Sequence, residues 1–283
     1  MKLPAAELCS AVSRIAGEPL AGSAPQARLW VLLEQPGPWG HDAVLQSHLD
    51  ESIGHRLKAW VADRPVRLGM MRRPGHHADV GGPRSVLIAD TDPSASWLVQ
   101  HPITDPRELL TLDLDELLTT PPTSARRDTP TLLICTNARR DRCCALFGRP
   151  LAGELARSYA GQVWETSHLG GHRFAPTMLS LPDGYLYGGP EAASMTTAAC
   201  RGRSSLTPDA QAAEIAALSH LGARHPTPLA MTQLGDGLWR AATADGRTTV
   251  DVKVERVDGT PPRQESCSKP AVPWQRLVAS VVG

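Results

Sequence analysis

Lysine is scarce in this 283-residue chain: four residues against 25 arginines. Together they balance 29 acidic residues, so the formal net charge is zero. That excludes a protein that grips nucleic acid through excess positive charge and one held on an anionic bilayer by a polybasic segment. Phenylalanine and tyrosine are also rare, at two and three residues, which leaves few platforms for stacked bases. No apolar run approaches the ~18 residues of a membrane span. Glu7, Arg14 and Glu18 interrupt any signal-peptide core. The expectation is a cytoplasmic protein with reduced thiols, no nucleic-acid partner and no membrane insertion. A Gly-x-Gly-x-x-Gly after a strand, the mark of a dinucleotide site, is missing. So are the Cys-x-x-Cys of thiol–disulfide enzymes and any carboxylate pair placed as in a glycosidase.

What the chain does have is six cysteines, three of them within ten residues: Cys135, Cys143 and Cys144. Clustered thiols in a reducing compartment point to metal or redox chemistry rather than to a disulfide framework. The remaining three, Cys9, Cys200 and Cys267, read as structural or incidental.

The elements around the cluster follow from periodicity. Residues 28–34 form an apolar run of strand length. Gln35 to Gly40 is a turn-rich loop. Leu45, Leu49, Ile53, Leu57 and Val61 recur at i, i+4 and predict a helix over 42–62. Strands are expected at 66–71, 85–89 and 96–101, with a Gly- and His-rich loop between the first two that carries His76 and His77. Residues 104–119 read as helical. After a Pro/Thr/Arg-rich linker at 121–130 the pattern repeats. A strand is expected at 131–135 and a cationic loop at 137–142. A helix follows over 142–159, interrupted by Gly148 and Pro150. A strand at 163–166 leads into the loop His168-Leu-Gly-Gly-His172, and a hairpin spans 177–187 across Pro182-Asp-Gly184. The expected fold is therefore α/β (α+β). Two thioredoxin-like β-α-β-β units arise by internal duplication, and a small C-terminal α+β module follows. The domain expectation is 1–123, 124–203 and 204–283. In the last module Thr207-Pro208 opens a helix that Gly222 closes. Val250, Val252 and Val254 alternate with charged residues as on a half-wet strand.

In a β-α-β unit with parallel strands, both strand ends and the intervening helix start share one sheet edge. Cys135, one of Cys143 and Cys144, His168 and His172 can therefore converge. Two thiolates and two imidazoles suit zinc, or a [2Fe–2S] cluster with two histidines on one iron. The histidine spacing fits zinc sites but the cysteine spacing is wider than Cys-x2–4-Cys, which favours the larger group. Neutral histidines would leave the oxidised cluster near zero charge. Its potential should then lie in the Rieske range, roughly −150 to +300 mV. Arg139, Arg140 and Arg142 would raise it further or form a docking patch for an acidic partner. A ligand histidine with a titratable second nitrogen would couple the electron to a proton.

At these residues the chain resembles the sucrase/ferredoxin-like family. The carriers are Cys135-Thr-Asn-Ala-Arg-Arg-Asp-Arg-Cys-Cys144 and His168-Leu-Gly-Gly-His172. The likeness is strongest over about 130–190 and looser at Glu34-Gln-Pro-Gly-Pro-Trp-Gly40 and in the C-terminal module. The resemblance implies a thioredoxin-like ferredoxin domain whose [2Fe–2S] cluster is ligated by Cys135, Cys144, His168 and His172. Counting from Asp141, it selects Cys144 over Cys143. It places Asn137 where the family often has histidine, and that residue is not assigned as a ligand. The first repeat has no cysteine in its matching loop and is expected to lack a cluster. The functional expectation is an electron carrier served by a separate NAD(P)H-dependent reductase or another redox protein. A zinc-binding Cys2His2 module and a thiol–disulfide oxidoreductase using Cys143 or Cys144 are the alternatives.

Overall fold

The computed structural model describes residues 8–78 and 81–282. The expected loop over 72–83 lies partly outside them, as does Glu7. In chain order the elements are helix α1 (Cys9–Ile15), strand β1 (Leu29–Glu34), helix α2 (Glu51–Val61), β2 (Val66–Arg72), β3 (Arg84–Asp90) and β4 (Trp97–Ile103). A 3-10 helix (Pro106–Thr111) and the single turn α3 (Leu114–Leu117) follow. Then come β5 (Thr131–Cys135), α4 (Arg142–Ser158), β6 (Val163–Thr166), β7 (Thr177–Leu181), β8 (Tyr185–Gly188) and β9 (Cys200–Arg203). The chain ends with α5 (Pro208–His220), β10 (Ala230–Gly235), β11 (Leu238–Ala242), β12 (Thr249–Gln264) and β13 (Ala271–Val282). Helices and strands are mixed, with a large mixed sheet and a separate four-stranded antiparallel sheet, so the fold is α/β. Among the described residues no helix is long and apolar enough to cross a membrane.

The chain forms two compact units. One comprises residues 27–169 and 179–184. Its strands run β4-β3-β1-β2-β6-β5, followed by the part of β7 that belongs to it. β1 pairs parallel with β2 and antiparallel with β3, while β5 pairs parallel with β6. The two β-α-β motifs meet at their second strands, where Met71 opposes Thr166 and Arg72 opposes Glu165 in an antiparallel pairing. β1 is buried on both faces except at its last residue, as befits a central strand of a sheet covered on two sides. Leu29, Val31, Leu33, Met70 and Ile88 form a core with Ile53 and Leu57 of α2.

Two helix expectations are corrected here. The 42–62 helix begins only at Glu51, because Asp50 caps it by accepting from the Ser52 and Ile53 amides. The preceding residues are turns. Asp42 accepts from the Val44 and Leu45 amides, and the Gln46 side chain accepts from the Asp42 amide. These local bonds compete with a helix ladder. Residues 104–119 form a 3-10 turn and one α turn, not one helix, since Asp105 and Asp113 each start a new cap. α4, in contrast, runs unbroken from Arg142 to Ser158 with Pro150 inside it.

Where the two motifs join, Arg72 and Glu165 form an ion pair at 2.9 Å with side chains only 5% and 4% exposed. Arg72 also donates to the Gly37 carbonyl at 2.6 Å and stacks on Trp39 at 4.0 Å. Thr136 donates to Glu165 at 3.0 Å, and His77 approaches it at 3.3 Å. Removing one partner strands the other charge in a dry site. Glu165→Ala should therefore cost about 3–5 kcal/mol, read as a lower midpoint in urea unfolding.

The other unit comprises residues up to 26 together with 170–178 and 185–283. β8 and β9 pair antiparallel, and β10-β11-β12-β13 form the second sheet. Val250, Val252 and Val254 point into a core with Ala212, Ala213, Ala217 and Leu218 of α5, which is the dry face expected for that strand. Thr207 caps α5, Pro208 opens it, and Gly222 follows it with a positive φ. Arg203 and Glu214 make a fully buried pair at 2.7 Å. Burial pushes the neighbouring Cys200 thiol up to about 12, which marks it as an inert core residue.

Candidate metal centre

All five residues of β5 are buried, so the strand is pinned and delivers Cys135 at its C-terminal end. Six residues on, Asp141 caps α4 by accepting from the Cys143 amide at 2.9 Å. This fixes the first turn of the helix, which carries Cys144. Cys135 lies opposite Thr166 in the parallel pairing, and His168 follows two residues later. The three groups therefore gather at one sheet edge. Cys135 Sγ and Cys144 Sγ each lie 4.0 Å from His168 Nδ1. The three ligand atoms fall within 4.8 Å of one another, the cysteines buried and the histidine half-buried. Such a group can bind a metal ion.

Cys143 is also buried but does not join this group, since adjacent helical residues point about 100° apart. His172 belongs to the other unit, where it opens a 3-10 turn behind Gly171. Gly170 and Gly171 both take positive φ, +90° and +68°, a conformation that glycine adopts without penalty.

The two thiols share a proton unequally. Cys144 donates to Cys135, which holds the Cys135 thiol well below its ordinary value, with His168 adding to the effect. The same bond, together with burial, pushes Cys144 well above. The pair thus favours the charged form at Cys135 over Cys144, and binding a metal through both sulfurs would release their protons.

The first β-α-β motif supplies the surroundings. Arg67 of β2 donates to the His168 carbonyl at 3.1 Å and lies 5.6 Å from the Trp30 ring. Ser167 accepts from the Met70 amide at 3.0 Å, and its own amide donates to the Met70 carbonyl at 2.8 Å. Thr166 donates its hydroxyl to that carbonyl as well. Asn137 donates to Gly40 at 3.1 Å and accepts from the Arg139 and Arg140 amides. It is therefore a loop organiser. A cavity of about 200 Å³ beside His168 is lined by His41, Leu68, Asn137, Arg140 and Ser167. A second, of about 300 Å³, is lined by Trp39, Arg72, His77, Asn137, Arg139 and Arg149.

Arg139 and Arg142 are exposed and Arg140 half-exposed. Among the described residues none of the three pairs with a carboxylate. Arg140 instead contacts the His41 ring at 2.9 Å. His77 sits at the rim of the Arg72–Glu165 pair, and His76 is exposed. Sequence reasoning missed Arg67 and Ser167. The only trace of Arg67 is a cation near the start of a strand whose next four residues are Leu68, Gly69, Met70 and Met71.

The fold and the site define an α/β protein whose Cys and His side chains form a group able to hold a metal. The family model for sucrase/ferredoxin-like proteins matches residues 20–224, and the chain belongs to that family. No curated protein and no solved structure matches it.

Proposed function

We propose that this protein is an electron carrier whose [2Fe–2S] cluster is held by Cys135, Cys144, His168 and His172. The observation that carries this reading is the meeting of two buried thiols and one imidazole at one sheet edge. The donor set suits iron, since soft thiolates and imidazole are ligands of two-histidine clusters. The His168-x-x-x-His172 spacing supports His172 as the second imidazole. A cluster held there would supply one-electron chemistry at a potential above that of all-thiolate ferredoxins.

The chain's own residues set the conditions. Cys135 and Cys144 anchor the buried side, and the half-buried His168 faces the exit. Arg67 brings a positive charge beside the ligand loop. Burial pulls its guanidinium down from its ordinary value, and the Cys135 charge opposes that pull. The cation favours the reduced, more negative state. Arg67→Met should therefore lower the midpoint potential on the order of 70–100 mV. That is the size of a unit charge acting over about 7–10 Å at an effective dielectric near 20. Protein-film voltammetry reads the shift, and an unchanged potential would remove Arg67 from this role. Arg139 and Arg140 beside the cationic cavity form the docking face for an acidic redox partner. A separate NAD(P)H-dependent reductase is the expected donor.

A specific observation favours a second reading. Two sulfurs each 4.0 Å from one imidazole nitrogen are spaced as ligands about a single ion. That spacing fits the zinc-binding alternative. Anaerobically purified protein decides between them. The carrier should be red-brown, contain iron and acid-labile sulfide in equal amounts, and give a rhombic EPR signal after one-electron reduction. Colourless protein with stoichiometric zinc would sink the carrier reading.

A further inference from the structure

Two thiols outside the proposed centre meet in space although 258 residues separate them in the chain. Cys9 is buried in the first turn of α1. Cys267 is half-exposed in the turn that joins β12 to β13. Both belong to the same compact unit. Their Sγ atoms are 3.5 Å apart, and the Cys9 amide points at Cys267 Sγ from 3.4 Å, a contact that stabilises negative charge on that sulfur.

Bonds that involve neither sulfur hold the two segments in place. Ser13 of α1 donates to Glu18 at 2.8 Å. Glu18 in turn pairs with Arg263 of β12 at 3.0 Å and with Arg173 at 2.7 Å. Glu18 and Arg263 are only 5% and 8% exposed, and Arg173 is 21% exposed. The thiols are thus presented to each other by the fold. A disulfide needs sulfurs about 2.05 Å apart, so closure asks for about 1.5 Å of approach. The turn carrying Cys267 can supply it.

We propose that Cys9 and Cys267 are a thiol pair that forms a reversible disulfide with a low-molecular-weight disulfide, R–S–S–R, as co-substrate. The accessible Cys267 attacks first. A bond forms between Cys267 Sγ and one sulfur of R–S–S–R, the S–S bond of the reagent breaks, and the departing thiolate takes up the Cys267 proton as RSH. Cys9 then attacks Cys267 Sγ, and the bond to the second RS group breaks. That group leaves as RSH with the Cys9 proton. The two protein thiols lose two electrons and the reagent gains two. The product ties the N-terminal helix to the β12–β13 turn.

The test uses the full-length chain, reduced anaerobically and then exposed to oxidised glutathione. Peptide mapping should find Cys9 linked to Cys267, two hydrogens lighter than the reduced pair, and dithiothreitol should reverse the link. The cross-linked chain should melt higher by roughly 5–10 °C, as expected for closing so long a loop. Cys9→Ser should stop at a glutathione adduct on Cys267, whereas Cys267→Ser should leave the buried Cys9 unmodified. Four results would overturn the proposal: two thiols that stay reduced, a lasting glutathione adduct on Cys267 in the unsubstituted chain, a link to another cysteine, or reaction only after a chelator is added. The last would make the pair metal ligands instead.

Discussion

Cys144→Ala should abolish iron and sulfide binding together, while Cys143→Ala should leave the visible spectrum of the purified protein intact. The two residues are adjacent, equally buried and equally cysteine, so composition and exposure cannot separate them. Geometry does. Asp141 accepts from the Cys143 amide and so sets the phase of α4. In that phase Cys144 Sγ comes within 4.0 Å of His168 Nδ1, and Cys144 donates its thiol proton to Cys135. Cys143, turned about 100° around the helix, has no place in that group. On the ligation proposed above, removing Cys144 leaves one sulfur on the buried side, and loss should be complete rather than graded. Alanine is the right replacement, since a serine oxygen can still ligate. Iron and sulfide analysis of both variants, purified side by side, is the check. Metal lost on Cys143→Ala or kept on Cys144→Ala would reverse the assignment.

Gly148→Ala should have an effect almost as large, at a position with no ligand. A Cβ built on Gly148 falls far inside the contact distance of the Cys135 carbonyl oxygen and 3.2 Å from its carbonyl carbon. Both obstacles are backbone of a fully buried strand and cannot rotate away. The helix must therefore back off from β5. The expected cost is at least about 3 kcal/mol in denaturant unfolding. The more telling consequence is at the site. α4 carries Cys144 and β5 carries Cys135, so forcing the elements apart parts the two sulfurs. Metal content should fall by much more than a comparably destabilising change in the other unit would cause, such as breaking the buried Arg203–Glu214 pair with Glu214→Ala. Equal metal retention in the two variants would show that Gly148 serves stability alone.

That glycine also shows where sequence reasoning ran out. Gly148 and Pro150 read as helix interrupters, yet α4 is continuous. Pro150 is tolerated on an exposed face, and Gly148 is there because a strand carbonyl presses against the helix. Propensity describes a residue's effect on its own helix and contains no term for a neighbouring strand. The misplaced start of α2 has a similar origin. The i, i+4 series from Leu45 was real, but the side chains of Asp42, Gln46 and Asp50 claimed the backbone amides one by one. Even so, β5 and β6 stand at the very residues expected, because short apolar runs bounded by turn residues leave few alternatives. The alternation of Val250, Val252 and Val254 placed one face of β12 in the core for the same reason.

The sequence by itself determined the α/β pattern, the family, and the candidate donors Cys135, His168 and one of Cys143 and Cys144. Those depend on local periodicity and on motifs in which a few residues must stand at fixed spacing. Only the tertiary structure decided that β2 lies against β6, and with it the part played by the first motif. Arg67 reaches the His168 carbonyl and Met70 holds Ser167 because two antiparallel edges 95 or so residues apart are in register. Edge pairing is set by which buried charges and amides find partners across the join, above all Arg72 with Glu165. It leaves no period in either strand. The meeting of Cys9 with Cys267 is of the same kind, since nothing in the chain between them encodes it except the fold of everything they join.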